Sequence, residues 1–302
     1  MTMQLVVSVC AERLGGVAIF AAIALAAATI PRGPASAQDA PPEGEPTTAT
    51  EAALQEKYGD KISFEDYTTY RDLVDALPDP EKAWELTLED QLGSFYFPIH
   101  LRKRITPNYV PENSEWGFIA DDPALPRVIL IGDSISRSYT VGVRKALAGK
   151  ANVHRAPANC GPTDSGLKNM DVWLDQGSGE WDIIYFNFGI HDRRKSPEQY
   201  QANLGKVVAR LQETGAQLIF GRTTPFEEKD VPGVDGSIAL NAVSDAVMEQ
   251  NDIPVDDLHA AVADDLDTVQ AEDRTHFNGD GIRLLADQVA TCVAGQIGVV
   301  NE

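Results

Sequence analysis

Residues that could together perform nucleophilic catalysis occur where predicted strands end. Ser134 follows the apolar run 128–131, which ends at a glycine and has the pattern of a buried parallel strand entering a tight turn. A helix is expected after this turn, so Ser134 would lie at a helix N-terminus, where free backbone N–H groups can meet an anion. Ser134 is therefore a candidate nucleophile, provided that the chain also supplies a base and further hydrogen-bond donors.

The other parts of such a site follow in later loops. Gly161 lies in the loop sequence NCGP, and the absence of a Cβ lets its backbone N–H approach a ligand closely. Asn187 and His191 lie in FNFGIHD, where a predicted strand runs out into polar residues. Asp273 and His276 lie in DRTHFN, and the turn residues that follow place the pair in a loop before the last predicted helix. A nucleophile, a base and several candidate donors thus occur in order.

This order of blocks resembles that of the SGNH hydrolases, the GDSL-type esterases, over residues 126–298, and in particular a secreted bacterial subgroup. The resemblance implies that Ser134 attacks an ester carbonyl, while His276 takes the serine proton and later returns it to the leaving alcohol. It gives Asp273 the role of orienting and stabilising the imidazole. The backbone N–H groups of Ser134 and Gly161 would stabilise the oxyanion, where loss of one donor typically costs about 3 kcal/mol.

The third oxyanion donor departs from the family pattern, because His191 stands where the family has asparagine. Three interpretations stay open. A neutral imidazole at His191 could donate from the correct ring nitrogen. Asn187 could instead supply the amide donor and contact the substrate. The site could also work with two donors and low activity, and none of these alternatives changes the expected nucleophile or base.

Competing interpretations of these motifs are weaker. Ser134 could be an ordinary helix N-cap, since serine is favoured there, but the partner blocks argue for a larger role. A second Asp-x-x-His pair, Asp256 and His259, follows a short strand and is expected to be structural. An ordinary α/β-hydrolase would carry Gly-x-Ser-x-Gly, whereas Ser136 occupies the last glycine position here.

The composition is that of a folded, strongly acidic protein. The chain has 302 residues, of which 43% are hydrophobic, and a formal net charge of −21. This charge disfavours nucleic acid and anionic membranes as partners. No CxxC or histidine-rich spacing indicates a metal, and no cofactor is expected. Nothing in the sequence indicates an oligomeric state or whether Cys160 and Cys292 pair, and Cys160 is expected to be a small buried filler.

Residues 1–37 are typical of a secretory signal peptide. An apolar, alanine-rich stretch at 15–30 follows Arg13 and precedes the small-residue sequence PASA, which suits signal peptidase. About 16 apolar residues are short for a membrane span of about 20, so an uncleaved anchor is the weaker alternative. The expected location is periplasmic or secreted, without stable membrane insertion after cleavage. The proline-rich, acidic residues 38–50 predict a disordered linker.

The remaining chain divides into two regions. Residues 51–125 form an aromatic-rich extension that is too short for a large core and should pack on the main domain. Its helices are expected at 65–76 and 80–92, the second with Asp79 as its cap and Gly93 as its stop. Residues 126–302 alternate between strands and helices, which predicts a three-layer α/β/α sandwich with a flavodoxin-like parallel sheet of about five strands. The strands are expected at 128–131, 151–155, 182–188, 217–221 and 253–256, and the helices at 138–147, 166–175, 197–213, 237–250, 258–267 and 279–294.

These features predict a secreted, metal-free serine ester hydrolase, with a small O-acetyl group on a carbohydrate as the favoured substrate. A short-chain lipid esterase, a thioesterase and an acyltransferase remain alternatives, because the same acid–base residues serve all three. A non-catalytic carbohydrate- or envelope-binding protein on an esterase scaffold is the alternative of another class. His191 and the aromatic extension would fit that alternative. A binding protein, however, does not require a serine, a histidine and an aspartate at these positions, so their presence favours the enzyme.

Overall fold

The computed structural model describes residues 48–177 and 179–300. The predicted signal peptide at 1–37 and the linker up to residue 47 lie outside the described residues and stay predictions. Within the described ranges, no helix has both the length and the apolar character needed to cross a membrane.

Four helices make up the N-terminal extension: α1 (Thr48–Tyr58), α2 (Phe64–Asp75), α3 (Asp79–Gln91) and α4 (Gly93–Arg104). The two expected helices are confirmed as α2 and α3, while α1 shows that the linker prediction is wrong for residues 48–50. Asp79 is the first residue of α3 rather than its cap, which is Pro78. Gly93, at a φ of 62°, starts α4 immediately after α3, because a glycine accommodates the left-handed turn that joins the two helices.

The extension has a hydrophobic core of its own, in contrast to the sequence expectation. Its buried side chains are Leu54, Tyr58, Ile62, Tyr70, Val74, Leu88, Leu92, Phe97, Leu101 and Trp116. The rings of Tyr70 and Phe97 pack edge to face, with their centroids 5.4 Å apart. The additional helices α1 and α4 supply much of this core, so most of the aromatic residues here are used for packing.

The centre of the α/β part is a five-stranded sheet: β1 (Arg127–Ile131), β2 (Asn152–Arg155), β3 (Ile183–Phe186), β4 (Gln217–Gly221) and β5 (Val255–Asp256). The order is β2-β1-β3-β4-β5 and every pairing is parallel, which confirms the flavodoxin-like expectation. Val128 of β1 lies opposite Val153 of β2 and Ile183 of β3. The chain reverses its direction of winding between β1 and β3, so a crevice is expected at their carboxyl ends.

Helices cover both faces of the sheet and complete the predicted sandwich. They are α5 (Ser134–Ala146), α6 (Thr163–Leu174), α7 (Pro197–Gln212), α8 (Ser237–Gln250), α9 (Ala260–Ala263), α10 (Leu266–Val269) and α11 (Gly279–Val300). Ile129 and Ile131 face the core under α6, α7 and α8, while Val128 and Leu130 face the core under α5 and α11. The helix expected at 258–267 is instead divided into α9 and α10.

The extension packs on β2 and α5 mainly through polar side chains. Asp121 accepts hydrogen bonds from His154 Nε2 at 2.6 Å and from Arg127 Nε at 2.8 Å. Arg137 in α5 pairs with Glu115 at 3.0 Å. The extension therefore covers the edge strand of the sheet.

A buried carboxylate, Glu85, joins three helices of the extension. It is 1% exposed, accepts hydrogen bonds from Tyr70 Oη at 3.0 Å and Arg104 Nε at 2.8 Å, and lies 2.7 Å from His100 Nε2. Burial alone would raise the pKa of Glu85, but the hydrogen bonds and charges of these partners outweigh burial and lower it.

Replacement of Glu85 by glutamine is expected to lower the free energy of unfolding by about 3 kcal/mol at neutral pH, because Arg104 loses a buried counter charge. The parent holds this stabilisation above the unfolded glutamate pKa of about 4.3 and loses it as the pH falls through the lower folded value. Urea denaturation followed by tryptophan fluorescence, at about pH 7, 5 and 3.5, measures both effects. Glu65→Gln, an exposed change in α2, is the control and should leave the curves unchanged. Equal acid-induced losses in the parent and in Glu85→Gln would contradict this account.

Candidate active site

The turn after β1 places Ser134 as the first residue of α5. Asp133 caps the helix, because its Oδ1 accepts a hydrogen bond from Ile135 N at 2.9 Å. Ser134 is therefore not the cap, and its hydroxyl is available for other contacts. Gly132 is required in this turn, since a Cβ there would lie 2.7 Å from Ser136 Oγ. The helix begins four residues earlier than the sequence predicts.

Ser134, His276 and Asp273 lie in one continuous chain of hydrogen bonds, although 142 residues separate the first two. Ser134 Oγ is 2.8 Å from His276 Nε2, and His276 Nδ1 is 2.6 Å from Asp273 Oδ2. When the Nδ1 proton is donated to the carboxylate, Nε2 is left to accept the serine proton. The side chains of His276 and Asp273 are 45% and 53% exposed, so this pair faces solvent.

The loop before α11 fixes the carboxylate in place. Asp273 Oδ1 accepts hydrogen bonds from the backbone N–H groups of Thr275 at 3.0 Å and His276 at 2.8 Å, and Gln270 bridges Phe277 in antiparallel fashion. Burial would raise the pKa of Asp273, but the hydrogen bonds from His276 and from the backbone outweigh it, so the pKa is lowered. Asp273 is therefore ionised at neutral pH.

Two backbone N–H groups of the site are free to donate a hydrogen bond to a ligand. The N–H groups of Ser134 and Gly161 donate to no acceptor within the described ranges. Cys160 N donates to Gly132 O at 3.1 Å. This hydrogen bond connects the loop that carries Gly161 to the turn at residues 132–134, which is called the nucleophile turn after the proposed role of Ser134. Gly161 has a φ of 64°, a left-handed conformation that suits glycine. The two N–H groups predicted to stabilise an oxyanion thus belong to two segments that are hydrogen-bonded to each other.

His191 and Asn187 differ in the contacts that their side chains make with the rest of the protein. Asn187 Nδ2 donates to Gly221 O at 2.7 Å, so one of its amide N–H bonds already has a structural partner. The His191 side chain is 37% exposed, and its Nε2 lies 3.7 Å from Asp133 Oδ2, beside the nucleophile turn. Of the two candidate donors, His191 therefore has fewer contacts within the fold and is more available to a substrate. A substrate contact for Asn187 stays a prediction.

Arg155 positions the turn before Ser134, although it belongs to none of the sequence motifs. It is fully buried, and it donates from Nη1 to Ser136 Oγ at 2.5 Å and from Nη2 to the carbonyls of Gly132 and Asp133, both at 2.9 Å. The guanidinium therefore holds the backbone on the N-terminal side of Ser134. The one available signal in the sequence is a charged residue at the end of a predicted buried strand.

Asp192 connects the His191 loop to the Gly161 loop. It is 0% exposed, and it accepts hydrogen bonds from Thr163 Oγ1 at 2.6 Å and from Thr163 N at 2.9 Å. Thr163 begins α6, two residues after Gly161. Asp192 thereby aligns two of the loops that carry candidate oxyanion donors.

The second Asp-x-x-His pair is structural, as expected. Asp256 accepts hydrogen bonds from Tyr185 Oη at 2.9 Å and Gln288 Nε2 at 2.6 Å. His259 Nε2 instead lies 2.8 Å from Asp235 Oδ2, so Asp256 and His259 do not act on each other.

The two described cysteines are free, and Cys160 is buried. Burial raises the pKa of Cys160 to about 12, so its side chain remains a thiol at neutral pH. This agrees with the interpretation of Cys160 as a packing residue. Within 48–177 and 179–300, no group of three or more His, Cys, Asp or Glu residues is arranged to hold a metal ion.

Comparison with known proteins finds similarity among solved structures alone, since no family model and no curated protein matches the sequence. The acetyl xylan esterase AlAXEase is 17% identical, with 55% of this chain and 99% of that one covered and a TM-score of 0.48. A lipase/acylhydrolase from Enterococcus faecalis is 20% identical, with 57% and 96% covered and a TM-score of 0.48. A member of the lipolytic G-D-S-L family from Veillonella parvula is 23% identical, with 55% and 97% covered and a TM-score of 0.46.

Gly189, two residues before His191, is expected to be intolerant of substitution. A Cβ at Gly189 would lie 1.9 Å from Thr223 Oγ1 and 3.0 Å from Thr223 Cβ, so Gly189→Ala should lower the free energy of unfolding by about 1–3 kcal/mol. The matched control is Gly205→Ala in α7, where nothing lies within 4 Å of the added Cβ. That change should raise stability by about 0.5–1 kcal/mol, because alanine favours a helix interior. Thermal unfolding should show shifts of opposite sign, and a neutral Gly189→Ala would refute the close approach.

Proposed function

We propose that this chain is a serine ester hydrolase, with Ser134 as nucleophile, His276 as base and Asp273 as the group that orients the base. The observation that carries the proposal is the hydrogen-bonded chain from Ser134 Oγ through the His276 ring to Asp273, with distances of 2.8 and 2.6 Å. The position of the serine at a helix N-terminus supports the same assignment, because free N–H groups at that end of a helix stabilise negative charge.

The reaction proceeds in two steps. The Ser134 oxygen adds to the ester carbonyl carbon while its proton passes to His276 Nε2, and the carbonyl oxygen becomes an oxyanion near the N–H groups of Ser134 and Gly161. Collapse of this adduct breaks the bond to the alcohol, which leaves with the proton from His276. Water then attacks the acyl group by the same route and releases a carboxylic acid, which returns Ser134 to its hydroxyl form.

Asp273 acts through His276. Its lowered pKa keeps the carboxylate charged at neutral pH, so it can hold the Nδ1 proton and stabilise the imidazolium that forms when the serine is deprotonated. Asp273 is therefore a positioning residue for the base.

We further propose a small acyl ester as the substrate, such as an O-acetyl group on a carbohydrate, and a periplasmic or secreted location. Exposure of His276 and Asp273 supports this choice, because a bulky alcohol can stay in solvent while the small acyl group enters beside Ser134. The secretory character of residues 1–37 and the family resemblance of the motifs favour the same substrate class and location.

Ser134→Ala and His276→Ala are each expected to lower kcat for p-nitrophenyl acetate by about a thousandfold or more, because each removes a member of one acid–base unit. Two matched controls are available in the same structure. Ser138→Ala removes a hydroxyl in the same helix, and His259→Ala removes a second histidine that is bonded to a carboxylate. Both controls should retain activity. Equal rates for the parent and Ser134→Ala would refute the esterase proposal.

His191 is expected to act as the third oxyanion donor, since its side chain lies beside the nucleophile turn and is partly exposed. His191→Ala should lower kcat about a hundredfold with little change in KM, the loss typical of one oxyanion donor. His191→Asn restores a neutral donor and should recover a large part of that loss. Parental kcat in His191→Ala would instead support a site with two donors.

A further inference from the structure

A cavity of about 510 Å³ lies between the extension and the edge strand β2, and none of the triad residues lines it. The extension supplies an apolar wall that includes Trp84 and Phe118. The α/β part supplies a basic wall that includes Arg144, His154 and Arg155. The volume falls in the range of small-molecule sites, which is about 300–1,000 Å³.

Two guanidinium groups of this cavity are buried without a carboxylate partner. Arg144 is 9% exposed and Arg155 is 0% exposed, and within the described residues neither has a carboxylate at ion-pair distance, although the charge of Glu115 acts on Arg144 and that of Asp133 acts on Arg155. Arg144 donates only to backbone carbonyls, those of Val153, Ser114 and Glu115. Burial lowers the pKa of both groups, that of Arg144 to about 10. A guanidinium in a protein nevertheless keeps its charge at neutral pH.

Arg155 also has an unused donor. Its two terminal nitrogens bond to Ser136 and to the carbonyls of the nucleophile turn, but its Nε has no hydrogen-bond partner among the residues described. A buried donor on a charged group costs free energy when it stays unpaired. Arg155 is among the residues that line the cavity, so its charge lies at the cavity wall.

The acidic residues that line the cavity do not neutralise these arginines. Glu81 pairs with Arg104 at 3.0 Å. Asp121 pairs with Arg127 and His154. Asp175 is exposed to solvent. The cavity thus retains positive charge on one wall and an apolar, aromatic surface on the other.

We propose that this cavity binds a ring-shaped organic carboxylate, with the carboxylate against Arg144 and Arg155 and the ring against Trp84 and Phe118. A planar guanidinium matches a carboxylate in both charge and shape. An aromatic wall matches the face of a ring. The lining excludes Ser134 and His276, and Arg155 is the residue that the cavity shares with the proposed esterase site.

Isothermal titration calorimetry on the full chain tests the proposal. The probes are benzoate and glucuronate, an apolar ring and a hydroxylated ring, each compared with its neutral analogue, benzamide or glucose. At least one carboxylate should bind at least tenfold more tightly than its neutral analogue, and the better probe tells which kind of ring the site takes. Failure of both carboxylates to bind, or equal binding of the neutral analogues or of inorganic phosphate, would overturn the proposal.

Variants locate the binding. Thr87 lines the cavity from α3, so Thr87→Glu adds a negative charge there, while Thr87→Gln adds a neutral side chain of the same size. Thr87→Glu should weaken carboxylate binding at least tenfold relative to Thr87→Gln. Ala120→Trp should fill the cavity and abolish binding, whereas Ala148→Trp, at an exposed position outside the lining, should not. Binding that is unchanged in Ala120→Trp would place the ligand elsewhere, for example beside Ser134, and overturn the proposal.

Discussion

The geometry of the site depends on how the backbone carbonyls at the end of β1 are satisfied. The fully buried Arg155 donates to the carbonyls of Gly132 and Asp133, and Cys160 N donates to the same Gly132 oxygen. These contacts join the carboxyl ends of β1 and β2, and so they set the position of Ser134 relative to the Gly161 N–H. Stabilisation of an oxyanion requires donors that are in place before charge develops. A buried charged group that donates to several backbone carbonyls restrains the backbone more strongly than a contact in an exposed loop would.

The other two residues of the proposed triad are held in a different way. Asp273 and His276 lie on an exposed loop, which the structure fixes by local backbone contacts rather than by burial. Arg274 adopts a φ of 54°, and its carbonyl accepts a hydrogen bond from Glu227 N at 2.9 Å, so the segment after β4 supports the loop from outside. Ser134 therefore lies at the start of a helix next to the sheet, while His276 lies on a solvent-facing loop. The imidazole is thus accessible to water, as the proposed hydrolysis requires.

The sequence predicts those features that depend on local pattern. Each of the five observed strands overlaps a predicted one, and the predicted alternation of strands and helices leads to the observed parallel sheet. The order of the motifs also predicts that Ser134, Asp273 and His276 meet. The sequence does not predict helix α4, because the helix begins at a glycine with positive φ and contains Pro98. Both features normally interrupt helices. The role of Arg155 is not predicted either. Its charge lies on a buried strand, and the carbonyl groups that it contacts come close to it only in the folded structure.

The extension belongs to the same physical unit as the site, although the motifs lie outside it. An uncovered edge strand exposes unpaired backbone groups and invites association with other chains. Here Asp122 N donates to Asn152 Oδ1 at 2.9 Å, and Asn152 Nδ2 donates back to Asp122 O at 2.9 Å, so the extension closes the edge at β2. Asp121 contacts His154, the residue next to Arg155, and Glu115 contacts Arg137, one helical turn after the nucleophile. Removal of the extension would admit water to the guanidinium that holds the nucleophile turn, so the α/β part and its helical cover depend on each other for the geometry of the site.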